Sequence, residues 1–482
     1  MTKTMNKSAL ATLLLLGLSG CASGPDYLRP GLTLPALWPA ATPAAATADA
    51  NAASALPDWR GYFTDPRLQA LIAQALEHNR DLRIATARIA EARALYGIER
   101  AAKLPEVELF GRREASLTPG DLNMLGRPLN AQRYDVGVEL LNYEVDFWGR
   151  VRRLNEAALA NYLASEEAQR AFRLSLIADV ANAYFSQREL EERVRLARAT
   201  AENRGEARSL AEQRRQAGII NTLEFLNADA ATEAARLQLS SLEQSRAAAD
   251  QLLQLLTGRL LADNEKEALP PGRDLGAQDM VRFAPNLPAE ALLRRPDVLA
   301  AEQRLIAANA NIGAARAAFL PRLTLTGALS TASSGLSHLF EAGSGAWIFK
   351  PQLRLPLFDT GRNEGNVDLA EARKNIAVAE YEKTIQQAFR EVADLLAARE
   401  QLAEQLSAQE ATRRIQSERL AMLEARYKAQ ISHYLEVLDA QRELQAAEQG
   451  AVQTRRQLLS TAAQLYKALG GGKPDEAAVA LK

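Results

Sequence analysis

The sequence predicts a mainly α-helical protein with a small β part, built as a duplicated helix–β-hairpin–helix unit. Two observations predict it. Landmarks of the first half recur in the second at a constant offset of 212 residues: Trp148-Gly149-Arg150 returns as Thr360-Gly361-Arg362, and Ala217-Gly218-Ile219 with Leu223 to Ala228 returns as Ala429-Gln430-Ile431 with Leu435 to Ala440. Long stretches free of Pro alternate with short ones whose hydrophobicity has period two. A register held without a gap marks two copies of one half-domain, since solenoid repeats span only about 20–50 residues.

The first element is a processing signal. Lys3 and Lys7 precede the apolar run Ala9 to Leu18, which is too short to cross the roughly 30 Å of hydrocarbon as a helix. Leu18-Ser19-Gly20-Cys21 follows and contains the only cysteine, so no intramolecular disulfide can form. Residues 1–20 therefore read as a signal peptide. Residues 21–60 read as a strap, rich in Ala, Pro and Thr and without helical period. The chain carries 58 basic and 59 acidic side chains, interleaved, so no basic stripe marks a nucleic-acid partner.

The first repeat, 61–270, holds strands at about 104–117 and 133–147; the second, 271–470, holds strands at about 321–331 and 346–358; a tail, 471–482, ends the chain. Ala101-Ala102-Lys103-Leu104-Pro105 and Ala317-Ala318-Phe319-Leu320-Pro321 open the two strand pairs. From Arg150 to about Arg215 there is no Pro and one Gly, among good helix formers, which predicts a rod on the order of 100 Å. Arg362 to about Gln430 has the same character. Leu174, Ile177, Ala181 and Tyr184 recur at helical spacing, as do Phe389, Ala393 and Leu396 in the second copy. From the helices alone a coiled-coil stalk is an equal reading. The strands decide against it.

In the last strand Trp347, Phe349, Leu353, Leu355 and Leu357 share one face, opposite Ile348, Lys350, Gln352 and Arg354, of which all but Ile348 are polar. Leu323, Leu325 and Leu329 oppose Arg322, Thr324, Thr326 and Ser330. Val107, Leu109 and Leu117 oppose Glu106, Glu108, Arg112 and Glu114, with Phe110 out of place. Tyr134, Val136, Val138 and Leu140 share one face; Leu141, Tyr143, Val145 and Phe147 share the other, so the phase switch at Leu140–Leu141 implies a bulge or a change of environment. Such alternation is the pattern of an outer-membrane barrel. Four strands cannot close one, and open edges are not viable in lipid, so several copies must share it. Two copies give eight strands, too narrow for an open pore, and three give twelve. The loops Ser116 to Gln132 and Thr331 to Gly345 then face outward.

These residues resemble the TolC-like outer-membrane efflux factors, in their OprM-type lipoprotein branch. Over nearly the whole chain the resemblance is carried by Leu18-Ser19-Gly20-Cys21, Gly24-Pro25-Asp26-Tyr27, Phe63-Thr64-Asp65-Pro66 with Leu68, Leu71, Ile72, Ala75, Leu76 and Asn79, Arg426-Tyr427 with Tyr434-Leu435 and Leu438-Asp439-Ala440-Gln441, and Leu465 to Gly472. It implies a homotrimer with a twelve-stranded outer-membrane barrel continued by a long periplasmic helical tunnel. It implies a lipid anchor at Cys21, with diacylglycerol on the thiol and an N-acyl chain, and no other cofactor. It implies a passive exit duct for drugs or other small molecules, served by a periplasmic adaptor and a proton-driven resistance–nodulation–division pump. Ala22 after Cys21 favours the outer membrane over inner-membrane retention.

The resemblance also names a periplasmic gate. Leu435 and Asp439 match its constriction, and Arg426 and Tyr427 match residues that tie its helices shut; Leu223 and Asn227 are the first-copy equivalents of Leu435 and Asp439. Leu435 and Asp439 lie four apart, hence on one helical face. Under three-fold symmetry the Leu forms a dewetting ring, and the Asp ring favours cations at the cost of like-charge repulsion. The family's usual glycine at the turn stands as Gly218 in the first copy and is replaced by Gln430 in the second, so a bend there does not follow from sequence. A type I secretion duct and a structural coiled-coil lipoprotein are the competing functions. An enzyme is not expected, because His78, His338 and His433 stand apart from any catalytic or metal-ligand spacing.

Overall fold

The computed structural model describes residues 24–31, 57–259, 269–278 and 289–472; Cys21, the signal segment and the tail from 473 lie outside the described residues. The elements in chain order are α1 (Trp59–Tyr62), α2 (Pro66–His78), α3 (Arg80–Ala101), β1 (Val107–Thr118), β2 (Leu129–Val145), α4 (Arg150–Gln216), α5 (Thr222–Thr257), α6 (Pro296–Ala317), β3 (Arg322–Ser333), β4 (Gly345–Arg354), α7 (Arg362–Lys428) and α8 (Tyr434–Ala468). α4 and α7 are 67 residues each, as a duplicated unit requires. Two compact units cut across the repeat: one gathers the described strap, Arg88–Glu166 and Ala300–Glu382, and the other the described parts of the remainder.

The first unit holds the sheet, antiparallel in the order β1-β2-β3-β4. Its register assembles apolar rows across all four strands. Leu109 pairs with Val138, Val138 with Leu329, and Leu329 with Trp347; one step down, Val107, Leu140, Gly327 and Phe349 form the next row. Leu109, Leu329 and Trp347 are each at least two-thirds exposed, so this face is bare. The other face carries Arg112 against Glu139 at 3.3 Å, Arg133 against Asp135 at 2.7 Å, and Glu144 between Arg150 and Arg322. Phe110 does lie on this polar face, with the Arg112 guanidinium 5.0 Å above its ring.

The phase switch of β2 is a bulge. The ladder slips between Leu140 and Tyr143, and Asn142 takes φ 49°. The consequence differs from a change of face. Leu140, Tyr143 and Val145 pair with Gly327, Leu325 and Leu323, which share one face of β3, so the extra residue keeps the apolar side continuous. The Thr326 hydroxyl and Asn142 hydrogen-bond at the slip. β4 ends at Arg354, so Leu355 and Leu357 stand beyond the last rung, where Pro356 offers no N–H to continue pairing. In the same unit Ala157 and Ala160 of α4 meet Ala307 and Ala310 of α6, small residues that let the helices approach closely.

The second unit has an aromatic core. Trp59, Tyr62, Phe63, Leu68 and Ile72 pack with Ile177, Ala181, Tyr184 and Phe185 of α4 and with Leu459, Ala463 and Tyr466 of α8. The stripe read from Ile177, Ala181 and Tyr184 is therefore the core face of α4. Within this unit α7 buries Ile385, Ala388 and Val392, whereas Phe389, Ala393 and Leu396 are half-buried; the burying face runs one residue earlier than periodicity indicates. Tyr62 and Tyr466 stack at 4.8 Å, and burial pushes the Tyr466 hydroxyl up to about 12. α2 starts where Pro66 occupies the first turn and the Asp65 carboxylate caps the Arg67 and Leu68 amides.

Candidate functional site

The predicted gate residues all lie at the two turns that join α4 to α5 and α7 to α8, within the second unit. Both turns have the same construction. The Gly218 and Ile219 amides donate to the Arg215 and Arg214 carbonyls, and the Gln430 and Ile431 amides donate to those of Tyr427 and Arg426, a helix end of the Schellman type. Gly218 has φ 70° and Gln430 φ 60°, so Gln430 adopts the left-handed conformation despite its Cβ. The second bend exists, held by hydrogen bonds that outweigh the steric cost of roughly 1 kcal/mol. Gln430→Gly is expected to stabilise the chain by about 0.5–1 kcal/mol and Gly218→Ala to destabilise it by a similar amount. Urea midpoints of the two variants, moving in opposite directions, check this.

Past the turns the copies diverge. Asn221 caps α5 through the Glu224 amide at 2.9 Å, while His433 at the start of α8 makes no side-chain cap. Leu223, Asn227, Leu435 and Asp439 all face solvent, the two leucines at 66% and 65% exposure. Asp439 pairs with Arg442 one turn on, at 3.0 Å. Leu435 and Asp439 share a face of α8, as their spacing requires.

The tying residues behave differently from each other. Tyr427 accepts a hydrogen bond from Arg214 Nη1 at 2.7 Å and lies 5.3 Å, ring to ring, from Tyr434. It therefore joins α7 to α4 and reaches the first turn of α8. Arg426 is exposed and makes no ion pair among the described residues. Sequence reasoning missed Arg204. This α4 side chain is 9% exposed and reaches the Leu438 carbonyl at 3.5 Å; burial lowers its affinity for a proton, and the Tyr434 hydroxyl beside it acts the other way. Thr232 of α5, fully buried, donates to the Arg204 carbonyl at 3.0 Å. The first hairpin is braced within itself instead, by Arg208 with Asp229 and by Arg215 over the Phe225 ring at 4.9 Å. The signal for Arg204 was available only as an unmatched position, since the second copy has Gln416 there.

Comparison with known proteins follows the same lines. The family described as outer membrane efflux protein matches residues 71–259 and 287–471, one span in each repeat. The toluene efflux pump outer membrane protein TtgF of Pseudomonas putida is 42% identical over 474 residues, covering 97% of each chain. Outer membrane protein OprJ of Pseudomonas aeruginosa is 41% identical, over 96% of this chain and 95% of its own. Among solved structures, the open state of the Neisseria gonorrhoeae MtrE outer membrane channel superposes with a TM-score of 0.83 at 37% identity, over 94% of this chain and 98% of that one.

Proposed function

Because the chain belongs to the outer membrane efflux protein family, we propose that this outer-membrane efflux protein is the exit duct of a tripartite pump. One observation carries the reading: a four-stranded sheet bares an apolar face and leaves β1 and β4 as unpaired edges, in a chain where no described helix is long and apolar enough to cross a membrane. In lipid those edges must close. Three copies, β1 of each against β4 of the next, make a twelve-stranded barrel with the apolar rows outward and the Arg112–Glu139 and Arg133–Asp135 face lining the pore. The long helices continue the conduit into the periplasm, and Cys21 carries the acyl anchor. No catalytic step is part of this reading. The duct conducts what an adaptor and a proton-driven inner-membrane pump deliver, and cargo choice rests with the pump. The solvent named for TtgF marks the first cargo class to try.

Cross-linked affinity purification from native envelopes tests this. Recovery of an adaptor and an inner-membrane pump is the expected result, and intact mass of the same preparation reads the acyl chains on Cys21. A clean trimer with no partner rejects the tripartite role. At the periplasmic end, Leu435 and Asp439 of three chains form the constriction. Asp439→Ala removes a ring of like charges that favours cations, and Leu435→Ala widens the apolar ring. The double variant is expected to raise single-channel conductance in planar bilayers by about threefold, a relief of under 1 kcal/mol in the barrier to ions. Unchanged conductance removes both positions from the gate.

A further inference from the structure

Of the segment Gly24-Pro25-Asp26-Tyr27, all but Asp26 are partly buried against the body of the protein. Within the unit that holds the sheet, it runs along α6 in the opposite direction to the helix. A Cβ on Gly24 would stand 2.6 Å from the Gly313 Cα, so the strap touches the helix where neither side carries a side chain. Asn309 donates to the Pro25 carbonyl at 2.9 Å. Asp26 lies 3.7 Å from Arg153 of α4, largely in solvent. Tyr27 then donates its hydroxyl to Glu302 Oε1 at 3.0 Å, and Arg29 forks onto the two Glu302 oxygens at 2.7 and 2.5 Å. With the strap in place the Glu302 side chain is only 9% exposed, so its charge is compensated by Tyr27 and Arg29 rather than by bulk water. Burial and the Glu302 charge both hold Tyr27 protonated, as a donor must be.

The direction of the strap gives this seat a meaning. Gly313 is four residues from the end of α6, which leads through Phe319, itself 45% exposed, into the first rung of β3 at Arg322. Three peptide units separate Cys21 from Gly24, which limits the distance between their Cα atoms to about 11 Å. We propose that Glu302 is the docking site of the strap, and that docking fixes the acyl anchor beside the foot of the sheet, in the inner leaflet of the outer membrane. A lipid on an undocked strap would tether the chain without orienting it. On the docked strap the same lipid presents both hairpins to the bilayer, and to further copies, at one height. The anchor half of this proposal rests on acylation of Cys21.

The test uses the full-length protein in native envelopes, with hydrogen exchange of residues 24–31 and pulse-chase conversion of new chains to the heat-resistant trimer. Glu302→Gln is expected to speed strap exchange about tenfold, the loss of one charge-assisted pair. It is also expected to slow trimer formation several-fold. Placed on Cys21→Ser, it should still speed exchange and no longer change the assembly rate, because there is no anchor left to position. Tyr27→Phe with Arg29→Gln alters only the strap side, leaves α6 intact, and should reproduce both effects. Unchanged exchange overturns the docking site. Equal slowing with and without the lipid assigns Glu302 to the fold of α6 and overturns the link to the anchor. An intact mass lacking acyl chains overturns the anchor half directly, while bilayer conductance of the assembled protein reports separately on the duct.

Discussion

Leu329→Arg is expected to abolish recovery of heat-resistant trimers from the outer membrane. Leu329 is central in the apolar row between Val138 and Trp347 and is 67% exposed on the bare face. A guanidinium near the bilayer midplane costs about 2–4 kcal/mol in a barrel strand, and the proposed three-fold barrel would incur that cost three times, for roughly 6–12 kcal/mol. That is comparable to the whole stability of an ordinary domain. Thr324→Arg is the control. Thr324 faces the polar side beside Glu144 and Gln352, where an added cation meets a carboxylate. Normal trimers from Thr324→Arg and none from Leu329→Arg fix which face meets lipid. Equal recovery of both, by semi-native electrophoresis of outer membranes, removes the barrel assignment.

Asp65→Ala is expected to destabilise the second unit by about 3–5 kcal/mol. Oδ1 caps α2, while Oδ2, with the residue fully buried, accepts from the Tyr184 hydroxyl at 2.7 Å, the Arg273 amide at 2.9 Å and Gln278 at 2.6 Å. Removal costs the cap, about 1 kcal/mol, and strands donors that each cost about 1–3 kcal/mol when buried alone. Asp65→Asn can keep the cap but turns an NH2 toward the three donors, so an intermediate loss is expected. Urea unfolding followed by tryptophan emission checks the order Asp, Asn, Ala. The same site sets a pH dependence. Burial pushes the Asp65 carboxyl up, and its hydrogen bonds from Gln278, Arg273, Tyr184 and the Arg67 amide more than reverse this, holding it below its ordinary value. A depressed folded pKa means the stabilisation is complete above the unfolded value of about 3.9 and is lost as pH falls through the folded one. The wild type should therefore lose stability in that acid range, and Asp65→Ala should lose less. Parallel acid profiles would place the effect elsewhere.

The copies share a plan and differ where motion would matter. The first hairpin is braced by Arg208–Asp229 and Arg215–Phe225, whereas the second is held by Arg214 through Tyr427 and by Arg204 through Leu438, both from the first. Where the first copy has Arg215, stacked on Phe225, the second has Tyr427, which accepts from Arg214 of the first and so ties the two hairpins together.

The sequence alone determined the architecture because it is written in local terms. Helix formers without Pro set α4 and α7, alternation marked the strands, and the constant offset declared the duplication, each readable from neighbours along the chain. The parity switch at Leu140–Leu141 even located the bulge. What the bulge accomplishes needed the partner strand, since only pairing with Gly327, Leu325 and Leu323 shows that the apolar face continues. The left-handed turn at Gln430 was hidden because its hydrogen bonds, not its residue type, select the conformation. Arg204, Asp65 with Gln278, and Glu302 with Arg29 join residues 28 to 273 positions apart. No periodicity encodes such pairs, because a buried charge is specified by whatever tertiary packing brings to it. Local pattern decides what each segment becomes, and tertiary packing decides which segments hold one another.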